Sequence, residues 1–85
     1  MKEFTYQIQD SLGIHARPAG QLVKLAQSFA SNITICRGDK QASLKKLFAL
    51  MGLGVRQGER VSVTIEGGDE AEALETIERF FRENL

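Results

Sequence analysis

At 85 residues the chain suffices for one domain around one core and leaves little room for a deep cleft. Apolar residues make up 42% and charged residues 26%, the balance of a soluble globular fold rather than a disordered chain. Eleven basic residues offset eleven acidic ones, so the broad positive surface that a general nucleic-acid binder needs is missing.

No apolar run approaches the length of a membrane span, and the N-terminus lacks a secretory signal pattern. Cys36 is alone and His15 is the only histidine, which argues against a disulfide and against a zinc site. A cytoplasmic, cofactor-free and metal-free chain is expected, with neither nucleic acid nor membrane as its partner.

In chain order, Phe4, Tyr6 and Ile8 alternate with polar residues and predict a half-buried strand. A loop over residues 10–13 follows. From Ala16 the period changes, and Ala19, Leu22, Val23, Ala26 and Phe29 fall at helical spacing. Pro18 belongs in the first turn of that helix, where its missing N–H costs nothing. His15 therefore falls at or next to the cap.

Ile33 and Ile35 mark a second strand. Gly38-Asp39 makes a two-residue hairpin turn into a short third strand around Gln41-Ala42. That turn also accounts for Arg37-Gly38-Asp39, which has the letters of an adhesion motif. Leu44 to Leu53 reads as a second helix closed by Gly54 in a left-handed conformation. Val61, Val63 and Ile65 alternate as a fourth strand. Asp69 with Glu72 three residues on predicts a capping box, opening a last helix that buries Leu74, Ile77, Phe80 and Phe81. The order β-α-β-β-α-β-α and the amphipathic strands predict an α+β fold with an antiparallel sheet covered by helices on one face.

The chemistry concentrates in Gly13-Ile14-His15-Ala16-Arg17-Pro18-Ala19. The first N–H groups of a helix have no intrahelical acceptor and carry partial positive charge, so they stabilise an anion. The Arg17 guanidinium is a planar fork suited to phosphate. Gly13 lets the preceding loop bend and keeps its approach open. The positive field at the helix start favours a neutral imidazole at His15, whose free lone pair can attack phosphorus. Spacing assigns His15 no Asp, Ser or Cys partner, which leaves a triad unsupported. A histidine that only caps a helix and an arginine that is only solvated would give the same residues.

The second helix adds an independent signal. Leu44, Leu47, Phe48, Leu50, Met51 and Leu53 cover more of its circumference than a surface helix buries. Leu47, Phe48 and Met51 either form a docking patch or lie under a neighbouring element. Lys45 and Lys46 stand at its N-terminus, the unfavourable sign for the dipole, either as a rim that steers an acidic partner or as solvated lysines.

These residues, with the segment from Lys45 to Gly54, resemble HPr, the histidine-containing phosphocarrier family of the bacterial phosphoenolpyruvate:sugar phosphotransferase system. The resemblance spans the whole chain as one domain, residues 1–85. It implies an open-faced β-sandwich, a four-stranded antiparallel sheet with three helices on one face. It implies a stoichiometric carrier rather than an enzyme, and nothing in the chain demands more than a monomer. Enzyme I would phosphorylate His15 on Nδ1, and the group would pass to enzyme IIA domains of sugar permeases. Arg17, with Gly13, Ala16 and the free N–H groups of the helix start, would hold the phosphoryl group. Ile14, Gly20, Lys24, Leu47, Phe48 and Met51 would form the docking surface.

Two positions depart from the family pattern. Lys46 occupies the place of a regulatory serine, so serine-based control through that site is not expected. Leu12 replaces a small polar residue that could hydrogen-bond to the phosphate. The alternative is a regulatory phosphoprotein of a nitrogen-type branch, which binds regulators instead of feeding permeases.

Overall fold

The computed structural model describes residues 1–85. The elements are β1 (Lys2–Gln7), α1 (Ala16–Gln27), β2 (Asn32–Arg37), β3 (Lys40–Ser43), α2 (Leu47–Met51), β4 (Arg60–Glu66) and α3 (Glu70–Asn84). The strands form one sheet in the order β1-β4-β2-β3, antiparallel throughout.

The register explains why one face is apolar. Phe4 pairs with Val63, Val63 with Ile35, and Ile35 with Ala42, which puts an unbroken buried row across all four strands. Ser62, Thr64, Thr34 and Cys36 alternate with it and remain half-buried on the other face. Fully burying residues such as Ile33, Ile35, Val63 and Ile65 contributes roughly 1.5–3 kcal/mol each. The helices supply the opposite wall through Ala19, Leu22 and Ala26 of α1, Leu50 of α2, and Ala73, Ile77 and Phe81 of α3. Phe81 meets Phe4 and Tyr6 edge-on at 5.4 and 5.6 Å between ring centroids, a favoured aromatic geometry. The result is the open-faced α+β sandwich anticipated from the strand pattern.

Three local expectations need correction. The second helix is five residues long, not ten. Leu44 instead continues the hairpin, its N–H donating to the Ile33 carbonyl at 2.8 Å. Gly54 does adopt a left-handed φ of 62°, but two residues beyond the helix cap at Gly52. The third helix buries Ala73, Ile77 and Phe81, and leaves Leu74 and Phe80 half-buried.

The expected capping box does not form. Asp69 occupies the cap position of α3 without capping it. Its carboxylate accepts the Ser31 hydroxyl and the N–H groups of Ala30 and Ser31, the latter two at 2.9 and 3.0 Å. It thereby ties the α1–β2 connection to the start of α3. The Ser31 hydroxyl foremost, then the Ala30 N–H, holds the Asp69 carboxyl below its ordinary value. Glu70 takes the local role instead, accepting the Gly67 N–H at 3.0 Å.

Candidate functional site

The loop between β1 and α1 is a built turn. The Gly13 N–H donates to the Asp10 carbonyl at 2.9 Å, and the Leu12 N–H donates to Asp10 Oδ1 at 2.8 Å. Aspartate at the first position and glycine at the fourth suit such a turn. The loop is anchored from outside by Ile14, whose N–H donates to the Val55 carbonyl at 3.1 Å, and by Asp10, whose N–H donates to the Leu85 carbonyl at 2.8 Å.

That scaffold delivers His15 to the cap of α1 in an extended conformation, with φ −107° and ψ 174°. Its side chain makes no capping bond. The first intrahelical bond runs from the Ala19 N–H to the His15 carbonyl at 2.9 Å. The N–H groups of Ala16 and Arg17 have no acceptor within the chain, and Pro18 has no N–H to leave unpaired. Two donors therefore face outward beside the imidazole, at the positive end of a twelve-residue helix.

His15 is one-third exposed, and its Nε2 lies 3.5 Å from Asp10 Oδ2. Arg17 is exposed and pairs with no carboxylate. Asp10, His15, Arg17, Pro18, Gln21 and Asn84 line a shallow depression of about 240 Å³. A larger hollow of about 410 Å³ along Gln21, Lys24, Leu25 and Ser28 contains no nucleophilic imidazole or acid. No group of three or more His, Cys, Asp or Glu residues could hold a metal ion.

Asp10 is the residue that sequence reasoning missed. Spacing along a helix or strand could not place it beside His15, because a turn brings the two together. The readable signal was the Asp-x-x-Gly pattern at positions 10–13.

Gly13 makes the bend expected of it. Its N–H is consumed by the turn, and its φ is 68°. The backbone of Val55 and Arg56 packed behind it leaves no room for a β-carbon. Ile14 is corrected: it is only 7% exposed within the core and offers no side chain for docking.

The remaining docking candidates lie on adjoining elements, since α1 packs against α2. Gly20 is half-buried and Lys24 exposed on α1. On α2, Phe48 is 89% exposed, whereas Leu47 and Met51 pack partly against the core. Phe48 is thus uncovered by α3 or any loop. Lys45 is not part of a free basic rim, because its Nζ donates to the Phe29 carbonyl at 2.6 Å. Lys46 is exposed at the cap of α2. Leu12 is also exposed, at 69%.

The site is thus a one-third exposed histidine at a helix cap of a small open-faced sandwich. The family model described as the PTS HPr component phosphorylation site matches residues 2–83. The chain therefore belongs to the HPr family of the phosphotransferase system.

A phosphocarrier protein HPr from Lysinibacillus sphaericus is 44% identical over 77 residues, 91% of this chain and 88% of that relative. One from Haemophilus influenzae is 45% identical over 71 residues, 84% of each chain. The Mycoplasma histidine-containing phosphocarrier structure superposes with a TM-score of 0.94 at 34% identity, covering 96% of this chain and 93% of that one. HPr from Thermoanaerobacter tengcongensis gives 0.93 at 37% identity, with 98% and 93% covered. These relatives speak for the phosphocarrier rather than the regulatory alternative.

Proposed function

We propose that His15 is the residue that carries the phosphoryl group, through Nδ1, between two protein partners of the phosphotransferase system. The carrying observation is the placement of a one-third exposed imidazole beside the two unpaired N–H groups of Ala16 and Arg17. As Nδ1 bonds to phosphorus, the oxygens of the transferred group gain those two donors and the Arg17 guanidinium. The depression is shallow, so a partner can bring its own reacting atom in line, and water and partner exchange freely once transfer is complete. Stabilisation at an open helix end is moderate, which suits a group that must be passed on.

Enzyme I is the donor in this reading and enzyme IIA domains are the acceptors. The chain works as a single-domain, cytoplasmic, monomeric and stoichiometric carrier rather than as an enzyme. Phe48, with Leu47 and Met51 at its edges and Gly20 and Lys24 on the adjoining helix, is the docking surface. Its apolar centre and the flanking Lys24 and Lys46 fit a partner with an apolar groove and an acidic rim. Lys46 has no hydroxyl to phosphorylate, so control by a serine kinase at that position does not operate.

Incubation with enzyme I and phosphoenolpyruvate should add one acid-labile phosphoryl group to the chain and none to His15→Ala. Phosphorylation of the His15→Ala variant would overturn the assignment.

A further inference from the structure

We propose that Asp10 is the positioning residue for His15, holding the imidazole through Nε2 so that Nδ1 is the nitrogen offered for phosphorylation. The inference rests on the carrier reading above and adds to it a residue that lies outside the Gly13–Ala19 motif.

Asp10 is fixed by three bonds. Its N–H donates to the Leu85 carbonyl, its carbonyl accepts from Gly13, and its Oδ1 accepts from Leu12. Of the two carboxylate oxygens, Oδ1 is the one taken by the turn. Oδ2 is the oxygen left over, and it stands 3.5 Å from His15 Nε2. Both side chains are only about one-third exposed or less, at 33% for His15 and 28% for Asp10. Arg17 lines the same depression yet makes no ion pair with Asp10. The acid is thus directed at the ring, and the guanidinium stays free for the phosphoryl oxygens.

A carboxylate facing Nε2 favours the tautomer with the proton on Nε2 and the lone pair on Nδ1. In the transfer, that lone pair forms the N–P bond while the donor's bond to phosphorus breaks and its electron pair leaves with the donor. The proton stays on Nε2, and the positive charge that develops on the ring lies against Oδ2. On delivery to the acceptor, the N–P electrons return to Nδ1. Asp10 neither touches phosphorus nor accepts the proton, and its role is orientation and charge.

The test compares the wild type with Asp10→Asn and Asp10→Ala, reading the ¹⁵N resonances of the His15 ring and the rate of phosphorylation by the phosphorylated donor protein. Asparagine keeps an oxygen for the Leu12 N–H, so its turn and thermal midpoint should survive. In the wild type the neutral ring should carry its proton mainly on Nε2. Both variants should reduce that bias to the intrinsic Nε2–H preference of a free imidazole and accept phosphate about three- to fivefold more slowly, the scale of a partly exposed charge contact. An unchanged tautomer ratio and rate in Asp10→Asn would overturn the proposal, even if Asp10→Ala fails to fold. A wild type that takes no phosphate would overturn the carrier reading instead. The tautomer ratio needs no donor and would still decide for or against the Asp10 contact.

Discussion

Gly13 lies against Val55 so closely that a β-carbon on it would stand 2.3 Å from the Val55 carbonyl oxygen. That carbonyl already accepts the Ile14 N–H, so neither side of the contact can move without releasing the loop that carries His15. Adding strain at a positive φ, Gly13→Ala should cost at least about 2 kcal/mol of stability. Chemical denaturation would measure the loss, and His15 phosphorylation should fall in parallel.

Arg17 has no intramolecular partner to lose. Arg17→Ala should leave stability within about 0.5 kcal/mol of the parent. Phosphotransfer should slow about tenfold, the scale of one charge-assisted hydrogen bond. Parallel melting curves and single-turnover kinetics separate the two effects.

Phe48 and Leu50 are neighbours on α2 with opposite exposure. Phe48→Ala should keep the thermal midpoint and raise the KM for the protein donor several-fold or more, as loss of an exposed aromatic anchor does. Leu50→Ala should instead destabilise the fold by about 2–5 kcal/mol, because it opens a cavity under the helix. Reversed outcomes would remove α2 from the docking surface.

Three carboxyls are held below their ordinary values by hydrogen bonds made only in the folded state. They are Asp69 through the Ser31 hydroxyl, Glu59 through the Arg56 N–H and then Arg37, and Glu70 through the Gly67 N–H. The unfolded chain binds protons at these groups first. Their stabilisation is present above about pH 4 and is lost as pH falls through the lower folded values. Stability measured in urea should decline below about pH 4, and Asp69→Asn should flatten part of that decline.

Lys46 caps α2 without a side-chain hydrogen bond. Lys46→Ser supplies the missing acceptor for the first turn and should add about 0.5–1 kcal/mol, seen as a higher melting temperature.

Strand alternation made the sheet legible from sequence: Phe4, Ile33, Ile35, Val61, Val63 and Ile65 all face the core as their period requires. The first helix was readable from the spacing of Ala19, Leu22, Val23 and Ala26, and Pro18 fixed its start. The second helix reads overlong because Leu44, Leu47, Leu50 and Leu53 recur every three residues, yet the burial of Leu44 and Leu53 comes from a hairpin end and a loop. Asp69 reads as a cap because the acceptors of a cap and of a distant clamp look alike in sequence. Only tertiary structure brings residues 30 and 31 within reach of it. At the site, the His15–Arg17 pairing is local and could be read. The Asp10 contact and the burial of Ile14 depend on how the loop packs against residues 55 and 85, which no periodicity encodes.

The anchors of the His15 loop reach to Val55 and Leu85, segments remote in the chain from the motif they hold. A nascent or partly assembled chain containing the full motif would lack both. The ability to accept phosphate therefore emerges only when the entire sandwich closes. The phosphorylatable fraction of a preparation should then track its folded fraction.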